Sequence, residues 1–360
     1  MLRNKCTLIV DGNWLLMSRV WVLRDRFLKT NDEDQNRGAV EELKSLLARS
    51  ISVTLQRFGT CVDNIVVVSD GGTWRKKIKK PKSLEDVIYK GNRTSDDTIN
   101  WNLIWNTAHD FYENCKSLGI TYSVIPGFEG DDLVYYWSRR LNNNGINCII
   151  WTTDQDLMQL VQYKDCVFTG WYETKKGLYI HESAQEKPID PIDFFMSGPV
   201  CDTRLLKELK SRVQINYINP DLIVMKKIIC GDDGDNIYSI IRQRMGNKIY
   251  KVGEKQWDSI RKELNLTTVK EFFRKRDEIC ESLCEMKKFQ NIEQVKEEFD
   301  YNRKLVWLNS EVIPEDLIKK GDQFDYSIYD VNVIKNNFKV LSGDPDSDVV
   351  KEVFAGALPF

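Results

Sequence analysis

Four short, strongly apolar runs of β-forming residues alternate with amphipathic stretches in the first half of the chain. The runs are CTLIV (6–10), NIVVVS (64–69), ITYSVI (120–125) and NCIIWTT (147–153). Their nearly continuous apolar character is typical of parallel strands that are covered on both faces. Between them lie three segments with helical periodicity, at residues 38–58, 98–117 and 129–143. The pattern predicts an α/β fold with a mostly parallel central sheet.

Aspartates stand where three of these predicted strands end. Asp11 follows the first strand, Asp70 follows the second, and Asp154 and Asp156 follow the fourth. The carboxyl ends of parallel strands share one edge of a sheet, which is where ligand sites of α/β proteins lie. Taken singly, each aspartate could instead be the N-cap of the following helix. Their convergence on one edge favours a shared carboxylate site.

A further acidic group opens the predicted helix in VIPGFEGDDLVYYW (124–137). Glu129, Asp131 and Asp132 lie close together and run directly into an apolar segment that must be partly buried. Carboxylates at this spacing repel one another, and bound cations would compensate that repulsion. The alternative is ordinary acidity at a helix N-terminus, where negative charge is favourable.

A last acidic cluster, Asp232, Asp233 and Asp235, lies in the glycine-containing turn GDDGDN. An EF-hand calcium loop is excluded because its twelfth position, which needs an acidic ligand, falls here in RQR. Together the acidic clusters predict a site for two or more divalent ions that serves phosphodiester hydrolysis. The chain has only two histidines and no CxxC motif, so carboxylates would be the ligands and Mg²⁺ or Mn²⁺ the expected ions.

Net charge and composition narrow the class of protein without identifying it. A net charge of −2 does not indicate a nucleic-acid-binding protein, although basic residues are locally concentrated. The basic runs are WRKKIKKPK (74–82), RLLKELKSR (204–212) and IRQRMGNKIYKVGEK (241–255), and each could also be a solvated face. Nine scattered cysteines, the lack of a membrane-length apolar run and the early first strand predict a reduced, cytoplasmic protein without a signal peptide.

Strand-forming character fades after about residue 236. We therefore predict a catalytic α/β core at residues 1–235, followed by a helical subdomain at 236–300. Residues 301–345 are expected to pack back on the core, and residues 346–360 to form a flexible tail. The tail ends in FAGALPF, which is either a mobile end or a short docking peptide.

Six blocks of the sequence, in this order, resemble those of the flap endonuclease family of structure-specific 5′-nucleases. They are VDGNW, SDGGTWRKKIKK, YKGNR, GFEGDDLVYYW, TTDQDLMQL and GDDGDNI. Within the family the chain is most similar to the T-even phage type of ribonuclease H, which removes RNA primers. The late segment EFDYNRKLVWLNSEVIPEDLIKK also resembles that branch, so the resemblance extends from about residue 6 to 320.

The resemblance implies two clusters of carboxylates that bind Mg²⁺. The first would comprise Asp11, Asp70, Glu129 and Asp131. The second, with its shared border, would comprise Asp132, Asp154, Asp156, Asp232 and Asp235. Asp70 and Asp154 are accordingly expected to be catalytic, whereas Asp233 falls between the motif positions.

YKGNR resembles the start of the family's helical arch, through which a single-stranded 5′ end passes, and the arch is predicted at about residues 74–97. By this resemblance Lys90 and Arg93 are catalytic and stabilise charge at the scissile phosphate. Tyr89 would stack on the terminal base, with ordinary packing as the alternative. The path of the strand would be lined by Lys76, Lys77, Lys79 and Lys80. Such contacts are salt-sensitive and independent of sequence.

IYKVGEKQW (249–257) resembles the hairpin of the family's helix–hairpin–helix element, which grips a duplex phosphate with backbone amides and a monovalent cation. Here the insertion IYSIIRQRMGNK precedes it and the first hairpin glycine is replaced, which argues against K⁺ at this position. Duplex contact by Lys248, Lys251 and Lys255 is still predicted.

The predicted function is a Mg²⁺-dependent 5′ nuclease with 5′→3′ exonuclease, flap endonuclease and RNase H activity that removes RNA primers and 5′ flaps during DNA replication. Its substrates would be DNA and RNA·DNA hybrids with single-stranded 5′ ends. A monomer working beside a sliding clamp and a single-stranded DNA-binding protein is expected from the phage branch. The alternatives are a catalytically silent nucleic-acid-binding scaffold of the same fold and a small PIN-type ribonuclease without the arch or the downstream helices.

Overall fold

The structure is a computed structural model that describes residues 6–165, 167–185, 203–245, 248–287 and 291–324. The described residues form two compact units. Unit 1 contains residues 6–72, 96–218 and 314–324, and unit 2 contains residues 73–95 and 219–313, with the gaps just given. This grouping by packing differs from the predicted boundary at residue 235, because unit 2 includes two separate segments of the chain.

An eight-stranded sheet forms the centre of unit 1. Its strands are β1 (Cys6–Asp11), β2 (Val62–Ser69), β3 (Thr121–Val124), β4 (Asn147–Trp151), β5 (Gln162–Lys164), β6 (Val167–Glu173), β7 (Gly177–His181) and β8 (Ile215–Ile218). The order is β3-β2-β1-β4-β6-β7-β8, with β5 paired to β6. Only the β5–β6 and β6–β7 pairs are antiparallel, so the predicted mostly parallel α/β sheet is confirmed.

Strands β1 and β4 are buried along their whole length, as their apolar sequences predict. The parallel register pairs Val10 with Val67 on one side and with Trp151 on the other. The next residues along the chains, Asp11 and Thr152, therefore reach the same edge of the sheet.

Five helices of unit 1 precede residue 219. They are α1 (Gly12–Val20), α2 (Glu33–Phe58), α3 (Trp101–Asn114), α4 (Gly130–Asn143) and α5 (Thr203–Arg212). Helix α2 begins five residues before the predicted start because the Asp32 side chain accepts hydrogen bonds from the N–H groups of Asp34 and Gln35, at 3.0 Å each. Apolar residues of α1, α2 and α3 share one core with the sheet, and α4 packs on β1, β2 and β4.

Unit 2 is mainly helical around a core of its own. Its elements are α6 (Asp221–Cys230), β9 (Arg242–Met245), β10 (Lys248–Lys251), α7 (Glu254–Glu263), α8 (Val269–Arg274), α9 (Arg276–Lys287) and α10 (Ile292–Val306). The antiparallel β9–β10 pair was not predicted, since the sequence reading assigned 236–300 to helices alone.

Residues 73–95 join this helical unit through buried contacts. The Arg75 side chain is almost completely buried, and its Nε–H donates to the Leu305 carbonyl at 3.0 Å. Leu84 packs in the same apolar core as Ile228 and Phe299. Regular structure in 73–95 is limited to two 3₁₀ turns, Arg75–Lys77 and Lys82–Leu84, so its role as an arch stays a prediction.

The last described helix, α11 (Glu315–Gly321), returns to unit 1 and packs on α4. The Arg140 guanidinium donates to the carbonyls of Gly321 and Phe324 at 3.3 and 3.1 Å. The predicted tail at 346–360 lies outside the described residues, as do Cys166 and Cys201. In the described part of the chain, none of the helices combines the length and apolar character that crossing a membrane requires.

Candidate metal centre and active site

Asp11 is the most deeply buried of the carboxylates that follow strands of the sheet. It ends β1 and caps α1, accepting hydrogen bonds from the Trp14 N–H and the Thr152 hydroxyl, both at 2.9 Å. Only 8% of the residue is exposed. Burial raises the pKa of Asp11 to about 7, helped by the charges of Asp154 and Asp70 and opposed by the two hydrogen bonds.

Asp70 follows β2 and connects that strand to the start of α4. Its carboxylate accepts a hydrogen bond from the Gly130 N–H, and its own N–H donates to the Asn13 side-chain oxygen at 3.4 Å. A Cβ atom at position 130 would lie 3.0 Å from the same carboxylate oxygen. Glycine at this position therefore lets the helix N-terminus approach Asp70 closely.

The three acidic residues at the start of α4 differ in how deeply they are buried. Glu129 is the N-cap residue and is buried, whereas Asp131 in the first turn is half-buried. Asp132 is completely buried, and its carboxylate accepts from the Glu129 N–H at 3.1 Å in a capping box. This capping contact gives Asp132 a structural role at the start of the helix. The assignment of Asp132 to the second ligand cluster stays a prediction.

Asp154 and Asp156 follow β4 in a short 3₁₀ turn. The Asp154 carboxylate accepts from the Asp156 N–H at 2.8 Å, and the Asp154 N–H donates to the Thr152 hydroxyl oxygen at 3.0 Å. Asp154 is exposed and Asp156 half-buried. The Trp171 indole N–H donates to the Asp154 carbonyl at 2.8 Å and so fixes the turn against β6.

Strands β2, β1 and β4 are neighbours in the sheet, and they deliver Asp70, Asp11 and Asp154 to one edge. Burial is the main cause of the raised Asp11 pKa, and the nearby charges of Asp154 and Asp70 add to it. A group of carboxylate oxygens at one edge of the sheet fits a hard divalent cation such as Mg²⁺ or Mn²⁺. This edge is the candidate metal centre.

The acidic loop of unit 2, residues 231–237, is closed by paired backbone hydrogen bonds between Asp232 and Ile237, at 2.7 and 2.8 Å. The Asp232 carboxylate accepts from the Lys227 ammonium and from the Gly234 N–H. Although burial acts in the opposite direction, the hydrogen bond and charge of Lys227 lower the pKa of Asp232. Asp233 is exposed and forms an ion pair with Lys251 at 2.9 Å.

Lys90, Arg93 and Tyr89 converge on Asp235 of the same loop. The Asp235 carboxylate accepts from the Arg93 guanidinium and from the Tyr89 hydroxyl at 3.2 Å, and Lys90 Nζ lies 3.8 Å away. Tyr89 is 5% exposed and its ring belongs to the core of unit 2. Ordinary packing therefore describes this ring here, and stacking on a base stays a prediction that would need the segment to move.

The other lysines predicted to contact substrate differ in the exposure of their side chains. Lys76, Lys77, Lys79, Lys251 and Lys255 are exposed. Lys80 is half-buried and donates to the Glu85 carbonyl at 3.0 Å. Lys248 begins β10, and its side chain lies outside the described part of the chain.

Several polar neighbours of the acidic residues were missed in the sequence analysis. They are Asn13, Asn92, Thr152, Lys227 and Asn236. Thr152 had a readable signal, since it stands two positions before Asp154 at the end of a predicted strand. The others carry no local pattern. Asn13 accepts from the Asp70 N–H, Lys227 donates to the Asp232 carboxylate, and Asn92 and Asn236 donate to the carbonyls of Asp233 and Ile88.

The fold and the site together define a class, an α/β protein with a carboxylate cluster at the carboxyl edge of its parallel strands. Residues 6–188, about half of the chain, match the family described as 5′-3′ exonuclease, N-terminal resolvase-like domain. The chain therefore belongs to this family, and the resemblance to 5′-nucleases is confirmed.

Known relatives agree with this assignment. The chain is 29% identical over 145 residues to a 5′-3′ exonuclease of Buchnera aphidicola, a match that covers 38% of this chain and 46% of that protein. The chain thus matches less than half the length of this relative. A flap endonuclease of bacteriophage T5, crystallised as a product complex with DNA and metal ions, shares the fold with a TM-score of 0.50 and 17% identity, covering 94% and 99% of the two chains. The same T5 protein crystallised with metal ions gives a TM-score of 0.51 at 16% identity, covering 94% of this chain and all of that one.

Proposed function

We propose that the protein is a Mg²⁺-dependent, structure-specific 5′ nuclease with exonuclease, flap endonuclease and RNase H activity. The observation that carries the proposal is the meeting of Asp11, Asp70 and Asp154 at three neighbouring strand ends, with the Asp11 pKa raised to about 7. The proposed ligands also include Glu129, Asp131, Asp132 and Asp156 in unit 1, and Asp232 and Asp235 in unit 2. Mn²⁺ is expected to replace Mg²⁺, because both prefer oxygen ligands.

Divalent cations bound at these carboxylates would activate water and stabilise charge on the leaving oxygen. The chain itself supplies the arrangement that binds them. Thr152 orients Asp11 and Asp154, and the Gly130 N–H orients Asp70. In unit 2, Lys90 and Arg93 provide the positive charge that would stabilise the scissile phosphate as its charge develops.

The proposed substrates are DNA and RNA·DNA hybrids with single-stranded 5′ ends or flaps. The T5 relative bound to DNA supports DNA as a substrate, and the exposed Lys76, Lys77 and Lys79 offer salt-sensitive phosphate contacts. Primer removal during phage replication in the host cytoplasm is the biological role we propose. A sliding clamp and a single-stranded DNA-binding protein are the proposed partners of the monomer.

The test is cleavage of a 5′-labelled flap duplex, with DNA and RNA flaps compared, in Mg²⁺, Mn²⁺ or EDTA. Wild type is compared with Asp154→Asn and Lys90→Ala, and with Asp25→Asn and Lys175→Ala as controls that change exposed residues outside the predicted site and the predicted arch. Short 5′ products that require the metal, that are lost in Asp154→Asn and that form much more slowly in Lys90→Ala, with both controls as active as wild type, would support the proposal.

The competing function is a catalytically silent scaffold that binds nucleic acid. It predicts that wild type binds the flap duplex with and without Mg²⁺ and leaves it intact. That result would overturn the nuclease proposal. The burial of Asp11 close to the like charges of Asp154 and Asp70 argues against a silent protein, because this arrangement reduces stability unless it serves a function.

A further inference from the structure

Two asparagines of unit 2 connect the YKGNR segment to the acidic loop through reciprocal hydrogen bonds. The Asn92 side-chain amide donates to the Asp233 carbonyl at 2.7 Å. The Asn236 side-chain amide donates in the opposite sense, to the Ile88 carbonyl at 2.8 Å. Residues 88–93 and the acidic loop 231–237 therefore each supply one side-chain amide donor and one backbone carbonyl acceptor to the other.

Lys90 lies at the centre of this connection in an unusual backbone conformation. Its φ is 56°, which non-glycine residues rarely adopt, and its N–H donates to the Asp235 carbonyl at 2.8 Å. A strained conformation of this kind persists only when surrounding contacts hold it, and such residues concentrate at functional sites. The two asparagine contacts flank Lys90 on both sides in the sequence, at Ile88 and at position 92.

Asn236 has the same left-handed conformation, with φ of 56°. Asparagine tolerates this region better than other non-glycine residues and also provides the amide donor that reaches Ile88. Glycine would supply the conformation without the donor. The position therefore combines two requirements that asparagine meets and glycine does not.

We propose that Asn92 and Asn236 are positioning residues that hold Lys90 and Arg93 for the reaction. The inference rests on the proposed nuclease function, in which those two cations act on the scissile phosphate. The asparagines touch no reacting atom in this role. They fix the turn of residues 88–93, from which the Lys90 and Arg93 side chains both reach Asp235.

The experiment compares Asn236→Gly and Asn92→Ala with wild type in steady-state flap cleavage at saturating Mg²⁺. Displacing Lys90 by a fraction of an ångström should lower kcat about tenfold, because misplacement by 1 Å costs up to about a hundredfold. KM should change less than about twofold, since binding along the strand path is retained. Asn216→Ala is the matched control, because that amide likewise donates to a backbone carbonyl, of Lys176 at 2.8 Å, within unit 1.

Two further measurements separate positioning from a general loss of structure. In a Lys90→Ala background the asparagine variants should lower kcat by a smaller factor than in wild type, because only the part of their effect that passes through Arg93 remains. Hydrogen exchange at the Lys90 amide should accelerate in both variants, while the melting temperature stays close to that of wild type. Equal losses with and without Lys90, or an unchanged kcat in active protein, would overturn this inference alone. Absence of cleavage by wild type would overturn the proposed function and this role with it.

Discussion

The Thr152 hydroxyl links the ends of the two central strands, donating to the Asp11 carboxylate at 2.9 Å and accepting from the Asp154 N–H at 3.0 Å. One side chain thereby bonds the carboxylate of Asp11 and the backbone of Asp154, two residues of the candidate metal centre. A hydrogen bond to the ionised form of an acid favours that form. Thr152 therefore moderates the rise in the Asp11 pKa that burial produces.

Replacing Thr152 by valine should move the acid limb of the pH–kcat/KM profile to higher pH. Loss of the hydrogen bond raises the Asp11 pKa, and a bond worth about 1 kcal/mol corresponds to a shift of somewhat less than about one pH unit. The measurement is the pH dependence of flap cleavage. Thr152→Ser keeps the hydroxyl and should retain the wild-type profile; a shift equal to that of valine would contradict this account.

Asp11→Asn should stabilise the metal-free protein at pH 8 while abolishing metal-dependent cleavage. With the pKa raised to about 7, the folded state keeps a proton that the unfolded chain has lost above about pH 4. Stability therefore falls as pH rises through this window, and asparagine removes that dependence. Thermal unfolding in EDTA at pH 5 and pH 8 measures the effect. Asp25→Asn, at an exposed position, is the control, and a lower melting temperature for Asp11→Asn at pH 8 would refute the prediction.

Arg140→Ala should destabilise unit 1 by about 2 kcal/mol, since hydrogen bonds from charged donors contribute roughly 1.5–3 kcal/mol. The guanidinium bonds the Tyr136 hydroxyl, the carbonyl of Gly321 at the end of α11 and that of Phe324 beyond it, and it lies 5.0 Å from the Trp137 ring centre. Urea unfolding measures the loss. Arg139→Ala is the neighbouring control, because Arg139 is exposed and its side chain donates to Gln162. Equal effects of the two changes would show that the α4–α11 contact contributes little.

Lys77→Ala should reduce the salt dependence of DNA binding, lowering the slope of log K against log [salt] by about one. Lys77 is exposed, whereas Lys80 is half-buried and donates to the Glu85 carbonyl at 3.0 Å. Lys80→Ala should therefore change the slope less. Binding is measured between 50 and 200 mM salt, the range in which phosphate contacts are most visible. An unchanged slope for Lys77→Ala would remove residues 76–80 from the DNA path.

Much of the sheet could be predicted because its central strands are fully buried. Strands β1 to β4 are apolar runs with no competing interpretation, and the aspartates after three of them are read directly from the sequence. Strands β6 and β7 were missed because Thr169, Gly170 and Glu173 interrupt the apolar character of an antiparallel pair. Periodicity alone does not separate such segments from loops.

The acidic residues of the candidate site were predicted from the sequence, whereas the hydrogen bonds that orient them were not. A cluster of acidic residues is easily recognised in a sequence, because like charges close together repel and need compensation. A single asparagine or threonine has many ordinary roles and is not recognised in this way. Asn236 reaches Ile88 across 148 positions of sequence, and no local pattern encodes that contact. Tyr89 shows the same limit, since a motif identifies the residue without revealing whether its ring is buried.

The discontinuity of unit 2 has a consequence for the chain as it leaves the ribosome. Residues 73–95 emerge roughly 120 residues before the helices that bury Leu84 and Tyr89. At ~5–20 residues per second, that interval lasts of the order of ten seconds. During this time the segment carries apolar side chains with no finished core to receive them, while the first strands of unit 1 can already pair. During synthesis, residues 73–95 are therefore exposed to proteases and chaperones for a time. Because unit 2 ends at residue 313, its core is completed only after that residue has been made.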